Sequence, residues 1–254
     1  MRGQGQDFME KTKYKYLEQS DQNKRLPQPP LELPPALSGK IINLPDFQEV
    51  EVNKLELIDT INKRTSIRTY SDEPLSLAEL SLLLWCTQGI KKNPSKPDVA
   101  QTMDFSYTLR TVPSAGARHC FETYLLVNRV KGLTPGLYRF LAGEHKLQEV
   151  DLDIGIAERV AEACLNQRFI SGCAVAFIWT AVAYRMAWRY GERGYRYIHL
   201  DAGHVCQNLY LSAMTVDCGV CALAAFDDDL LNAALGLDGV EQFSVYLGIV
   251  GKRR

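Results

Sequence analysis

The chain lacks the patterns that would place it in a membrane or in several large enzyme classes. No stretch of its 254 residues approaches the roughly 20 consecutive apolar residues of a membrane-spanning helix. The first residues carry no apolar core of the kind that a secretory signal needs. The sequence contains no Walker loop and no GxGxxG, HExxH or GxSxG motif, which argues against hydrolase, P-loop and Rossmann classes. We therefore expect a cytoplasmic protein with no membrane partner.

The sequence also lacks an excess of charge of either sign. It has 29 Lys and Arg against 30 Asp and Glu, a formal net charge of −1. No basic surplus is available to attract nucleic acid, so any anion site must be local. Residues 184–197 mix basic and aromatic side chains, but such residues at helical spacing are more typical of core or pocket lining than of an RNA-stacking surface. We expect no nucleic-acid partner.

Cysteine is present in an odd number and without a disulfide framework. The seven cysteines are scattered through apolar segments, which favours buried thiols in a reducing compartment. Cys218 and Cys221 form a CxxC, for which a metal or a redox disulfide must be weighed. A structural zinc needs four ligands, and the sequence offers no second CxxC. We predict that both are small buried thiols and that no metal is bound.

Proline is concentrated near the N-terminus. Six of the eleven prolines lie between Pro27 and Pro45, a density that prevents a helix and favours an extended path. Apolar residues are interspersed, so we predict that residues 1–48 form an extended arm lying on the body of the protein or on a partner subunit. Residues 49–254 would form one domain.

The apolar pattern of the body predicts mixed helices and strands. A helical stripe at 55–61 is followed by a second helix, which Ser76 and Glu79 open with a capping box and Gly89 closes. Further helices are predicted over 156–166 and 197–215, and strands over 121–128, 136–140, 146–150, 173–182 and 243–250. The pattern predicts an α+β domain. The connection at 91–110 is long enough to suggest a function.

Three segments combine residues that suit ligand binding. Residues 63–68 (KRTSIR) alternate cations and hydroxyls, which can converge on a phosphate, although a basic helix C-terminus is an alternative explanation. Residues 111–119 (TVPSAGARH) contain a small-residue turn that lets the backbone approach a flat ligand, or that is simply an ordinary loop. Residues 218–229 (CGVCALAAFDDD) offer a second stretch of small residues.

In this order, the three segments resemble the nitroreductase superfamily of FMN-dependent oxidoreductases. The resemblance covers most of residues 50–251, and the stretch VPSAGARHCFETYLLVN is similar to the loop and strand of the superfamily's PSxxNxQPW type. The sequences PSAGARH, GLYRF and YGERGYRYIHLDAGHVCQNLYL resemble the SagB/ThcOx-type dehydrogenase branch. The resemblance implies a nitroreductase-like fold, in which helices flank a central, mostly antiparallel sheet.

The resemblance also implies a cofactor site and a homodimer with the flavin at its interface. Arg64, Thr65, Ser66 and Arg68 would hold the FMN phosphate. The isoalloxazine ring would lie between two stretches, namely Pro113, Ser114, Ala115 and Gly116 on one side and Leu223, Ala224 and Ala225 on the other. From its position at the end of the loop, we expect Arg118 to stabilise charge on the reduced ring, and Lys252, Arg253 or Arg254 would supplement the phosphate site.

The activity implied by the resemblance is two-electron transfer between NAD(P)H, or an organic substrate, and a small acceptor such as a nitro compound or a quinone. One alternative is the chemistry of the SagB/ThcOx branch, which oxidises azolines with oxygen as acceptor. Another is a module that binds flavin without catalysis. The sequence identifies no catalytic acid or base.

Overall fold

The computed structural model describes residues 3–91 and 106–254, within which seven strands form a single sheet. The strands are β1 (Ile41–Asn43), β2 (Phe121–Val127), β3 (Gly136–Leu141), β4 (Lys146–Asp151), β5 (Val175–Val182), β6 (Cys218–Leu223) and β7 (Gln242–Lys252). They lie in the order β1-β4-β3-β2-β5-β7-β6, and every neighbouring pair is antiparallel. The predicted antiparallel sheet is confirmed.

Helices cover the sheet. They are α1 (Gln4–Lys11), α2 (Leu57–Lys63), α3 (Leu77–Gln88), α4 (Ile156–Ala163), α5 (Arg168–Ser171), α6 (Ala183–Tyr190), α7 (Gly194–Met214) and α8 (Asp228–Leu235). The capping box of α3 is present: the Ser76 hydroxyl accepts from the Glu79 N–H at 3.1 Å, and the Glu79 carboxylate accepts from the Ser76 N–H at 2.8 Å. No helix in the described ranges is long and apolar enough to cross a membrane.

Strand β5 lies in the middle of the sheet and is buried on both faces. Val175, Phe177 and Trp179 belong to one apolar cluster, whereas Ala176 and Ile178 belong to the other. Because successive side chains of a strand point to opposite faces, this alternation divides the core into two layers. The near-continuous apolar run of the sequence reflects this double burial.

The long helix α7 packs in the first of these layers. Val205, Leu209 and Ala213 are buried there, as their helical spacing predicts. The helix approaches the sheet closely at Gly248, where a Cβ atom would lie 2.4 Å from a methyl group of Leu209. A glycine in β7 therefore sets how near α7 can lie to the sheet.

Two elements of the C-terminal part were missed by the sequence analysis. The segment CGVCAL forms the edge strand β6, whose residues pair with β7 from Cys218 opposite Lys252 to Leu223 opposite Leu247. Helix α8 begins at Asp228, where the Asp227 carboxylate accepts from the Leu230 N–H at 2.9 Å. In both cases the local composition gave a weak signal, since glycine and alanine are poor strand formers and aspartate is a weak helix former.

The N-terminal residues are not extended throughout, because α1 is helical. The prolines begin only at Pro27, so proline density could not exclude a helix before that point. Within the described residues the arm contacts its own body. The Gln22 N–H donates to the Trp188 carbonyl at 2.9 Å, the Trp188 indole N–H donates to the Leu26 carbonyl at 3.0 Å, and β1 adds a short strand beside β4. The division into arm and domain stays a prediction.

Two facing glycines let the chain after α2 lie directly on the sheet. Gly219 of β6 and Gly251 of β7 are register partners. A Cβ atom at Gly219 would lie 2.6 Å from the Ile67 side chain, and one at Gly251 would lie 2.6 Å from the Tyr70 ring. The absence of side chains at these two positions therefore makes room for residues 67–70.

We predict that Gly219→Ala destabilises the protein by about 1–3 kcal/mol, because the added methyl group displaces Ile67 from the sheet. The free energy of unfolding in urea would measure this. Gly203→Ala is the matched control, since a Cβ on that helical residue meets nothing within 4 Å and should stabilise the protein by about 0.5–1 kcal/mol. Equal stability of Gly219→Ala and the parent protein would contradict the close approach.

Candidate functional site

The segment that follows α2 is anchored by its main chain to the edge strand β6. Ser66 forms a parallel bridge with Val220, and the Ile67 N–H donates to the Val220 carbonyl at 2.9 Å. The side chains of Thr65 and Ser66 remain exposed. The backbone is thus fixed while the two predicted residues stay exposed to a ligand.

The arginines of this segment keep their charge available. Within the described ranges no carboxylate pairs with Arg64 or Arg68, whereas the neighbouring Lys63 pairs with Asp59 at 3.6 Å. The Arg64 guanidinium lies over the ring of Tyr210, with its carbon 5.2 Å from the ring centroid. A cation held by an aromatic face retains its hydrogen-bond donors for an anion.

The hydroxyl of Tyr210, on α7, joins two of the three predicted segments. It lies 2.9 Å from the Ser66 hydroxyl and accepts the N–H of Ala222 at 2.8 Å. Buried Leu223 and exposed Ala224 and Ala225 follow directly. The structure therefore brings residues 64–68 and 223–225 to the same end of α7. Sequence analysis missed this role, because a tyrosine on an apolar helix face shows no partner until the sheet is assembled.

The loop of the second segment is anchored to α7 at a different point. Asp201 accepts the N–H of Ala115 at 3.2 Å, and the hydroxyl of Ser114 accepts the N–H of His119 at 2.9 Å. Pro113 at the start of the loop is exposed. Burial raises the pKa of Asp201, and its second carboxylate oxygen has no hydrogen-bond partner in the described structure. Asp201 was also missed by the sequence analysis.

Gly116 is required by the shape of this loop. Its φ angle is +56°, and a Cβ atom would lie 2.4 Å from the Tyr190 hydroxyl oxygen. Arg118 is buried: its Nε donates to the Gly116 carbonyl at 3.1 Å, and its guanidinium lies over the Trp188 ring at 5.5 Å. This arginine thus fixes its own loop, and its expected action on a reduced ring stays a prediction.

Helix α7 keeps the two anchoring points apart. Asp201 and Tyr210 are nine residues apart, which corresponds to about 13.5 Å along the axis and to about 180° around it. The loop at 113–118 and the segments at 64–68 and 223–225 are therefore attached to opposite sides of one rigid helix. Within one chain the predicted site residues thus form two separate groups.

The C-terminal cations are engaged in the fold. The Lys252 ammonium lies 2.6 Å from a Glu79 carboxylate oxygen and 2.8 Å from the Val216 carbonyl. The Arg253 Nε donates to the Cys218 carbonyl at 3.2 Å. Both residues therefore already have partners within the fold, and their predicted contribution to a phosphate site stays a prediction.

The two cysteines of the CxxC point in different directions. Residues three apart in a strand lie on opposite faces, so Cys218 and Cys221 of β6 cannot bind one metal ion together or form a disulfide with each other. Burial raises the pKa of Cys218 to about 12 and also raises that of Cys221, which keeps both as thiols. Within residues 3–91 and 106–254 no group of three or more His, Cys, Asp or Glu could hold a metal ion.

Comparison with known families decides the class of the protein. A sequence model described as the nitroreductase family matches residues 61–252, which include all three segments. The chain belongs to the nitroreductase family. This confirms the predicted resemblance and the prediction of a flavin-dependent oxidoreductase. Most of the connection at 91–110, to which we attributed a function, lies outside the described residues.

Two curated relatives show how far the likeness extends. A nitroreductase-like protein of Methanocaldococcus jannaschii is 34% identical over 212 residues, which cover 84% of this chain and 96% of that relative. The trifolitoxin-processing protein TfxB of Rhizobium leguminosarum bv. trifolii is 29% identical over 133 residues, covering 51% of this chain and 36% of that protein.

Solved structures share the fold. A nitroreductase-type protein from Anabaena variabilis is 29% identical with a TM-score of 0.62, over 77% of this chain and 38% of that chain. One from Desulfovibrio desulfuricans, solved in complex with FMN, has a TM-score of 0.53 over 79% of this chain and 88% of that chain. Its identity is 17%, so this second likeness concerns the fold alone.

His119, at the end of the loop, provides a test of the loop's burial. Burial, together with nearby Arg110, lowers its pKa to about 3. The unfolded chain binds a proton there near pH 6.5, so unfolding takes up a proton between about pH 6.5 and pH 3 and stability falls as the pH falls. We predict that His119→Asn, which also tolerates the positive φ of this residue, flattens that decline.

The measurement is the free energy of unfolding of both proteins at several pH values between 4 and 7. Subtracting the two curves removes the contributions of other groups, such as Asp201, whose raised pKa acts in the opposite direction. Parallel curves would show that His119 is not buried in its neutral form.

Proposed function

We propose that this nitroreductase is a homodimeric, FMN-dependent oxidoreductase whose flavin lies between a half-site of one subunit and a half-site of the other. The observation that carries the proposal is the Tyr210 hydroxyl, which holds Ser66 and Ala222 together. The first and third segments of the resemblance thereby become one surface.

The residues of this surface suit the phosphate of FMN. A phosphate needs several charge-assisted donors that are not already neutralised. Arg64 and Arg68 pair with no carboxylate in the described part of the chain, and Thr65 and Ser66 add exposed hydroxyl groups. Lys252 and Arg253 are left out, since their hydrogen bonds to the fold already engage them.

The flat ring of the flavin would contact backbone rather than long side chains. Ala224 and Ala225 are exposed, and Leu223 beneath them is buried. Pro113, Ser114, Ala115 and Gly116 would cover the ring from the other subunit. Asp201 and Arg118 would act on the ring indirectly, by fixing the loop through Ala115 and Gly116.

The separation of the half-sites and an uncovered apolar surface support the proposed homodimer. The side chains along α2 that give its apolar stripe are largely exposed, as is one residue of α7; they are Leu57, Ile58, Ile61 and Leu200. Exposed apolar side chains grouped along one helix, as on α2, are typical of an interaction surface. A second copy would cover this surface and supply the missing half-site.

When bound, FMN supplies the redox chemistry by accepting and donating a hydride at its N5 atom. The chain's own residues would bind the phosphate, orient the ring and exclude water. We propose NAD(P)H as the donor and a nitro compound or quinone as the small acceptor, in the cytoplasm. No acid or base is assigned, because hydride transfer through the cofactor does not require one.

A second candidate is a dehydrogenase of the SagB/ThcOx type that oxidises azolines or similar substrates with oxygen as acceptor. The likeness to the trifolitoxin-processing protein favours it. Under anaerobic conditions, bleaching of the flavin by NADH or NADPH and recovery with a nitro compound would support the reductase. Bleaching only by an azoline substrate, with recovery in air, would support the dehydrogenase. No turnover with any pair would indicate a module that binds flavin without catalysis.

We predict that the purified protein is yellow and releases FMN on denaturation.

We also predict that Arg64→Ala weakens FMN binding roughly ten-fold or more, because a hydrogen bond to a charged group contributes about 1.5–3 kcal/mol. Tyr210→Phe keeps the aromatic ring under Arg64, so it should weaken FMN binding less than Arg64→Ala does. Titration calorimetry of the apoprotein would measure both changes.

Lys63→Ala is the matched control, because Lys63 pairs with Asp59. This substitution should leave the affinity for FMN within about two-fold of the parent protein. A colourless protein that cannot be reconstituted with FMN would refute the proposed function. Unchanged affinity of Arg64→Ala would place the phosphate elsewhere.

We predict that Ile58→Asp weakens self-association at least roughly ten-fold and releases flavin, because it places a charge in the proposed apolar interface. Light scattering after gel filtration would report the mass. Ile154→Asp is the control, since Ile154 is exposed in the turn after β4 and not on α2. A dimer that survives Ile58→Asp and keeps its flavin would exclude α2 from the interface.

A further inference from the structure

The proline-rich part of the arm lies in a groove built from five buried polar side chains. We call this the arm groove; its residues are Arg110, Glu122, Arg139, Gln148 and Arg185, none of them more than 6% exposed. They come from β2, β3, β4, α6 and the segment before the 113–118 loop. The occupant is residues 30–38 of the same chain.

The arginines of the arm groove bind carbonyl groups of this segment. The Arg185 Nε donates to the Pro30 carbonyl at 2.8 Å. The Arg110 Nη2 reaches the Leu31 carbonyl at 3.5 Å. Arg139 donates to the carbonyls of Leu33 and Pro34, the latter at 3.2 Å. All of these acceptors belong to the main chain.

The remaining polar contacts also engage the main chain of the occupant. The Leu33 N–H donates to Glu122 at 2.9 Å. Gln148 accepts the Ala36 N–H at 3.0 Å and donates to the carbonyls of Ala36 and Ser38 at 2.8 and 3.1 Å. The groove thus recognises the backbone of an extended chain.

The side chains of the occupant contribute much less to its polar contacts. Leu37 is fully exposed, and Glu32 adds hydrogen bonds from the N–H groups of Ala142, at 2.5 Å, and Gly143, at 3.2 Å. Prolines suit such a site because they favour an extended backbone whose carbonyls make no hydrogen bonds to one another. The groove therefore selects a conformation more than a particular sequence.

The charge of the arm groove matches carbonyl oxygens. Three buried guanidinium groups face one groove carboxylate, Glu122, which lies 2.5 Å from Arg185 and 3.5 Å from Arg139. Glu32 of the occupant adds a second carboxylate, whose pKa is raised by burial and by Glu122. Arg110 Nε and Arg185 Nη1 are buried without a hydrogen-bond partner in the described structure. The groove thus holds more donors than its present occupant uses.

We propose that the arm groove is a peptide-binding site that recognises the main chain of an extended, proline-containing peptide, and that residues 30–38 are its resident, displaceable occupant. The site is linked to the 113–118 loop. Ser106 exchanges two hydrogen bonds with Gln28 of the arm, and its carbonyl also accepts from Arg118 at 3.1 Å. Occupancy of the groove is thereby connected to the loop, while peptide binding does not depend on the flavin.

The test uses the full chain with a protease site inserted after Leu37, which is exposed. The protease cuts this site in the folded protein, so that the arm stays bound to the body without a covalent link. The probe is a fluorescent synthetic peptide of residues 26–38, followed by polarisation. We expect saturable binding and release of the cut arm, which mass spectrometry of the gel-filtered protein would detect. Circular dichroism would show that the body stays folded.

Two altered peptides separate backbone recognition from side-chain recognition. N-methylation at Leu33 and Ala36 removes both amide donors and should weaken binding roughly ten-fold or more. The Leu37→Ala peptide should bind within about two-fold of the parent, since that side chain is exposed. In the protein, Gln148→Leu removes three hydrogen bonds without burying a new charge and should also weaken binding roughly ten-fold.

Several outcomes would overturn the proposal. If the cut arm never exchanges, or if the body unfolds when the arm leaves, the segment is an integral part of the fold. If the N-methylated peptide binds as well as the parent, recognition does not use the main chain. Exchange of arms between copies of the chain without uptake of free peptide would instead indicate arm swapping within an oligomer.

Discussion

The site depends on one constraint, which is that a single rigid helix carries both of its anchoring points. Helix α7 is buried against the sheet, so its position is set by core packing. Asp201 holds the loop at 113–118, and Tyr210 holds Ser66 and Ala222. Because the spacing along a helix is fixed, the two half-sites cannot move together within one chain. A cofactor that contacts both segments has to bridge this separation, and the proposed homodimer does so by combining one segment from each copy.

Much of the fold could be predicted because burial leaves a periodic pattern. Strand β5 is apolar on both faces, and α3 begins at a capping box that its sequence already shows. The elements that escaped prediction are those whose formation depends on distant partners. Strand β6 has weak local preferences and forms because β7 offers it an edge. Helix α1 precedes the prolines whose density suggested an extended arm.

For the site, the residue types could be predicted and their arrangement could not. The resemblance proposes the segments at 64–68 and 223–225, yet the tyrosine that connects them is 144 residues from Ser66 and 12 from Ala222 along the chain. Charge was similarly ambiguous. Lys252 and Arg118 are as basic as Arg64, but Glu79 engages the first and the loop's own carbonyl engages the second. Only the three-dimensional pairing shows which cations remain available to an anion.

The arm groove poses an energetic question that stability alone does not answer. Burying three guanidinium groups and a carboxylate carries a desolvation penalty, and well-packed apolar residues at such positions often stabilise a protein as well or better. An arm that served only to cover the sheet could pack there through apolar side chains, with no charge beneath it. In this chain the charged groups are directed at carbonyl and amide groups of the backbone, which every peptide possesses. Buried charged side chains that bind the peptide backbone are expected in a peptide-binding site. They are not expected beneath an arm that only covers the sheet.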